Sequence, residues 1–141
     1  MEKKYKLTEE TINIEGKTLY RIEALKDFAD IKKGDKGGFV EKEDNLSHED
    51  DCWVYDNAKV YGNAKVYGNA QVYDNAEVFD NAAIYDDALV CENVEVYGDA
   101  KIYGNARVYC DTEVYDKAEV CGYSKIYDNT VICGNMKICR K

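Results

Sequence analysis

From Val54 to Lys137 the chain is built of fourteen consecutive six-residue units with no insertion between them. Val54–Lys59 reads VYDNAK, Val60–Lys65 reads VYGNAK, Val66–Gln71 reads VYGNAQ, and the phrase persists to ICGNMK at Ile132–Lys137. A period of six drifts against the 3.6-residue turn of an α-helix, and recurrent Gly-Asn pairs destabilise a helix interior. Serial hairpins fail as well, because their strands would be too short to stand alone. The remaining solution is a solenoid of three units per coil. Each strand then pairs with the one eighteen residues on, and coils are spaced about 4.8 Å apart.

Each position in the unit has a physical meaning. The first is always Val or Ile, β-branched and suited to a strand facing a core. The second is Tyr in ten units, Phe79 in one and Cys in three. Alternation along a strand turns it outward. The third and fourth are mostly Gly or Asp followed by Asn, which accept turn geometry and left-handed backbone angles. The fifth is mostly Ala, small enough for a corner, and the sixth is often charged.

The pattern of VY[GD]NA units resembles the hexapeptide-repeat family over Val54–Lys137. The resemblance implies an all-β fold, a left-handed parallel β-helix of triangular section with about 18 residues per coil. Tyr at the second position departs from the family's small or acidic residue. The segment Gly37–Ala58, GGFVEKEDNLSHEDDCWVYDNA, is similar to the opening segment of hexapeptide-repeat proteins of phages and prophages.

Stacking by eighteen sorts the second positions into three columns. Column one is Tyr55, Tyr73, Cys91, Tyr109 and Tyr127; column two is Tyr61, Phe79, Tyr97, Tyr115 and Cys133; column three is Tyr67, Tyr85, Tyr103, Cys121 and Cys139. These tyrosines, with Arg107 and Lys125, are the candidate binding or oligomer surface. Stacking along a face accounts for most of them, at about 0.2–1 kcal/mol per pair. Aromatic stripes this broad also mark interaction surfaces. Glu77, Glu95 and Glu113 run beside column two as an acidic stripe, whereas Gln71, Leu89, Arg107 and Lys125 beside column one are neutral to basic. The corner after column one is assigned Asp56, Asp74, Glu92, Asp111 and Asp128, a solvated corner with the oxygen chemistry for Ca²⁺. Asn57, Asn75, Asn93 and Asn129 are expected to form an amide ladder.

Residues 1–53 lack the repeat and form a cap over the β-helix of residues 54–141. TINIEGKTLYRIEAL, Thr11–Leu25, alternates around Glu15-Gly16-Lys17 and reads as a β-hairpin. KKGDKGGFVE reads as a turn leading to a strand, and Phe39 and Trp53 are expected to pack on the first coil. A cap keeps unpaired strand edges from aggregating. The opposite end has no such device, so self-association as a dimer or trimer is expected.

Composition narrows the function classes. The 28 acidic against 19 basic side chains give a formal charge of −9, which disfavours direct non-specific grip on nucleic acid. No segment reads as a membrane span or secretory signal, so a cytoplasmic location is expected, the host cytoplasm for a phage protein. There the six cysteines stay reduced, and Cys121 and Cys139, though neighbours by spacing, are expected as free thiols. One histidine, His48, cannot complete a zinc set. It lies in NLSHEDD, which reads as an exposed turn, and the units contain no histidine base for the acyl transfer many relatives of the fold perform. No cofactor is expected.

The expected function is therefore non-catalytic: a phage-type binding protein acting against host defence. It would occlude a host effector as an anti-CRISPR protein does, or hold a nucleotide immune signal through Tyr-rich faces or a subunit interface. The alternative is a structural, polymer-forming β-helix protein, and an acyltransferase stands third.

Overall fold

The computed structural model describes residues 2–141. Its strands form three sheets along the sides of a triangular parallel β-solenoid. Val54 lies opposite Val72, Val72 opposite Val90, and Val90 opposite Val108, the eighteen-residue register. The described residues include no α-helix, and no helix is long and apolar enough to cross a membrane.

Each regular strand is only two residues, the sixth position of one unit and the first of the next, as in Lys59–Val60 and Glu77–Val78. First-position side chains point inward, and Val60, Val78, Val96, Val114 and Ile132 are fully buried. Alanines at the fifth position, such as Ala58, Ala76 and Ala100, are buried at the corners. The Ala58 N–H donates to the Tyr55 carbonyl at 3.1 Å, closing a turn that spans positions two to five.

The turn explains the third position. Its residue takes a positive φ in every unit, from Asp56 (56°) and Gly62 (66°) to Gly134 (65°). Glycine adopts this angle freely, and Asp, like Asn, tolerates it better than most residues with a side chain. Asp also fills a need: its carboxylate accepts the N–H of the residue one coil on, Asp56 from Asp74 (3.2 Å), Asp80 from Gly98 and Asp86 from Gly104 (both 3.0 Å). In column one's corner the residue after Tyr109 is Cys110, at φ 68°. The sequence assignment of Asp111 to that corner is therefore corrected: Asp111 falls one position later, in the asparagine rank. The amide ladder is corrected as well: among the described residues no hydrogen bond joins Asn57, Asn75, Asn93 and Asn129, and the bonds form on the other two corners instead. Asn63 donates to Asn81 (3.3 Å), Asn81 to Asp99 (3.2 Å) and Asn69 to Asp87 (3.3 Å), whereas Asn57 accepts from Arg21 (3.1 Å).

The cap begins with β1 (Tyr5–Ile14) and β2 (Lys17–Ala24), an antiparallel hairpin turning at Glu15-Gly16, both with positive φ. β3 (Lys36–Val40) pairs antiparallel with β2 and parallel with Lys59–Val60. One edge of column two's sheet is thus closed by a hairpin. Leu46 bridges in parallel to Val66, so stacking reaches back before Val54 on a second side. Gly37 and Gly38 let β3 approach the first coil closely, since a Cβ on either would lie 2.5 Å from the Val54 or Ala58 carbonyl oxygen. Trp53 is buried at the joint with Tyr5 and Phe28 edge-on, and Phe39 packs with Leu19 and Tyr61.

Candidate functional site: three aromatic columns and the cap joint

The ring columns follow from the register. In column two Tyr61, Phe79, Tyr97 and Tyr115 form one stack with centroids 5.1, 4.9 and 5.0 Å apart. In column three Tyr67, Tyr85 and Tyr103 stack at 4.9 and 5.0 Å. Column one is two pairs, Tyr55–Tyr73 at 4.2 Å and Tyr109–Tyr127 at 5.6 Å, with Cys91 between them. Nine of the ten candidate tyrosines therefore reach the outer surface, divided among three faces, whereas Tyr61 is corrected to a buried position, because the hairpin residues Leu19, Ile12 and Ile14 cover it. Rings stacked this closely cover one another's flat sides. Outward they present edges and hydroxyls, and open ring faces occur only where a column stops.

Several of the hydroxyls are tied to side chains. Tyr61 donates to Glu77 (3.1 Å), Tyr97 to Glu113 (2.8 Å) and Tyr103 to Glu119 (2.5 Å), each sixteen residues ahead. Each ring leans over the sixth position of the following coil. The bond to Glu119 and then burial push the Tyr103 phenol up to about 12. Burial and then Glu113 raise Tyr97 further. Phe79 has no hydroxyl to offer Glu95, the equivalent carboxylate. Burial, then Glu77 and Glu113 on either side, raise the Glu95 pKa above the usual carboxylate range. The tyrosine–glutamate ties escape a reading by eighteen, and an offset of sixteen is the signal that finds them.

Column one differs in its polar rank. Gln71 receives the Tyr73 hydroxyl (2.8 Å) and donates to Tyr55 (3.3 Å), and Tyr55 donates to Asp30 of the cap (3.0 Å). Leu89, Arg107 and Lys125 continue the rank in register, with both cations exposed. The structure thus brings Arg107 and Lys125 together with Tyr109 and Tyr127 on one face.

His48 is not the solvated turn histidine its neighbours suggest. Its side chain is 15% exposed and stacks on Tyr5 at 4.2 Å. Its Nδ1 accepts the Lys4 backbone N–H (3.1 Å), so Nε2 carries the proton and donates to Glu43 (2.8 Å). Both ring nitrogens are engaged, which leaves no free lone pair for general-base work. Beside it lies a concavity of about 390 Å³ lined by Glu43, Ser47, His48, Lys65 and Tyr67 among others. Lys4 is fully buried. Its ammonium donates to the carbonyls of Cys52 (2.6 Å) and Asp50 (3.2 Å), and burial lowers its pKa.

At the acidic corner, Asp56 and Asp74 turn carboxylate oxygens onto the N–H groups of Asp74 and Glu92. Among the described residues no group of three or more His, Cys, Asp or Glu could hold a metal ion. Cys121 and Cys139 are disulfide-bonded with Cα atoms 4.5 Å apart, which corrects the expectation of free thiols. Register brings them opposite each other on adjacent coils, within bonding reach.

No protein-family model matches the chain, and no curated protein matches it either.

Proposed function

We propose that this chain is a non-catalytic binding protein whose contact surface is the face of column one, and that it serves as a phage-type counter-defence inhibitor by holding an anionic, nucleotide-type signal. The observation that carries the reading is the makeup of that face. Arg107 and Lys125 stand in register beside Tyr109 and Tyr127, with no carboxylate in the rank. At Cys110 the acidic corner is interrupted on the same coil. Column two's face instead carries the glutamate stripe and is overlaid at one end by Leu19, Ile12 and Ile14 of the hairpin. The likeness of Gly37–Ala58 to phage repeat proteins supports the counter-defence role. The engaged state of His48 disfavours acyl transfer.

The test is affinity capture from host lysate with mass spectrometry of retained small molecules and proteins. A nucleotide retained by the native chain and lost from Arg107→Glu/Lys125→Glu, with unchanged melting temperature, supports the reading. Equal retention by the native chain and by charge reversals on every face removes it. A second reading, self-assembly, is favoured by the exposed side chains of Tyr123, Tyr127, Val131 and Met136, gathered in the last coils. Sedimentation that shows concentration-dependent filaments supports that reading over a discrete binder.

A further inference from the structure

We propose that the gap in column one at Cys91 is a slot for the base of a free nucleotide, an inference that rests on the reading of this face as the contact surface. Register fixes the gap. Val90 pairs with Val72 on one side and Val108 on the other, so Cys91 stands between Tyr73 and Tyr109. Two coil spacings separate those tyrosines, about 10 Å. Each already has a ring on its far side, Tyr55 or Tyr127. Their near sides face each other across a thiol.

A flat heteroaromatic ring midway would lie about 5 Å from both centroids, inside the 4.5–7 Å range of offset stacking. That is the spacing the unbroken columns already use, 4.9–5.1 Å. The other column cysteines create no such slot. Cys133 follows Tyr115 at the end of column two, and Cys121 and Cys139 are bonded to each other. Among the column cysteines, Cys91 alone has a tyrosine on both sides.

The surroundings give the ligand a direction. The floor is Cys91 and Leu89, both half-buried. Arg107 lies opposite Leu89 one coil on, and Lys125 opposite Arg107. Glu92 is exposed on the corner side. A base in the slot therefore directs its phosphate over Arg107 and Lys125, away from Glu92. The overall charge of −9 disfavours a long polyanion here and favours a free nucleotide.

The decisive variant is Cys91→Tyr, which restores the missing ring and matches the repeat. Titration calorimetry of the full chain with the four 5′-mononucleotides, adenosine, inorganic phosphate and an oligo(dA) strand reads the outcome. We expect at least one mononucleotide to bind the native chain, with affinity at least tenfold lower in Cys91→Tyr at an equal or higher melting temperature. Arg107→Ala weakens the mononucleotide more than the nucleoside. In the native chain the ligand also slows alkylation of Cys91 relative to Cys110, a readout independent of how the variant folds. Binding of no mononucleotide, equal binding to Cys91→Tyr, unprotected Cys91, or tighter binding of the strand overturns the slot. Binding that survives Cys91→Tyr but is lost in Arg107→Glu/Lys125→Glu ends the slot and leaves the face reading standing. Capture unaffected by those charge reversals removes the face reading itself.

Discussion

The cap and the coils are held together in different ways. In the coils nearly every interaction has a copy eighteen residues away: a buried aliphatic on an aliphatic, a ring on a ring, an Asp carboxylate on the next N–H. In the cap the key contacts occur once. Arg21 donates to the Gly37 carbonyl (2.6 Å), the Asp56 carbonyl (3.0 Å) and Glu10 (2.7 Å), and lies over the Phe39 ring at 4.2 Å. Asn45, fully buried, donates to the carbonyls of Gly62 (3.2 Å) and Ala64 (2.9 Å) and accepts from the N–H groups of Glu41 (3.1 Å) and Lys42 (2.9 Å). One amide side chain thus replaces a stretch of missing ladder. A repeated contact is shared among neighbours, and stability sums over units. A unique contact has nothing beside it to take over.

The largest expected effect is therefore in the cap. Asn45→Ala strands several buried backbone groups, each worth about 1–3 kcal/mol. We expect a loss of about 4 kcal/mol in chemical denaturation. The sole tryptophan, Trp53, sits buried at the joint. Its fluorescence should change at lower denaturant than the circular dichroism of the coils. Ile102→Ala in a central coil should cost about 3 kcal/mol through its cavity, with both signals moving together. Coincident transitions in Asn45→Ala, or separated ones in Ile102→Ala, would break the contrast between the regions.

The same contrast decides what the sequence revealed. The three columns, the inward aliphatics and the place of Arg107 and Lys125 are periodic, so counting by eighteen finds them. Asp111 was misplaced where residue type was followed instead of position, since the corner needs the third residue even when it is Cys110. The roles of His48, Lys4, Arg21 and Asn45 were not legible. Each has partners in other segments, as Lys4 is for His48 at a separation of 44 residues, and no period links them. NLSHEDD reads as exposed because its neighbours are charged, yet Tyr5 arrives from the start of the chain to cover the ring.

Within the coils the repeat has weak points of its own. Glu92 holds φ 60° where every other unit except that of Cys110 places Gly or Asp. Its longer side chain gains none of the carboxylate-to-amide bonds that Asp80 and Asp86 make. Glu92→Gly should stabilise the chain by about 0.5–1 kcal/mol by relieving the left-handed angle. Thermal denaturation checks it, and a lower melting temperature would show that the corner charge matters more than the backbone.

The smallest effect gives the sharpest division, because cap and coil carboxylates should respond to pH with opposite sign. In the cap, the His48 hydrogen bond and then Lys3 hold the Glu43 pKa below the usual range despite some burial. Its contribution is present above the ordinary carboxylate pKa and is lost as pH falls through its own lowered value. In the coils, burial and the flanking Glu77 and Glu113 raise Glu95. Its protonated form is favoured by the fold, so that contribution is present at low pH and lost as pH rises through the raised value. At pH 7 Glu43→Gln should therefore melt below the native chain and Glu95→Gln above it, each by less than about 1 kcal/mol. Both differences should shrink towards pH 4, Glu95→Gln first, because the native Glu95 takes up its proton at a higher pH than Glu43. Melting curves across that range that shift both variants in the same direction would mean the glutamate column is not repulsive. The missing hydroxyl at Phe79 would then carry no electrostatic cost.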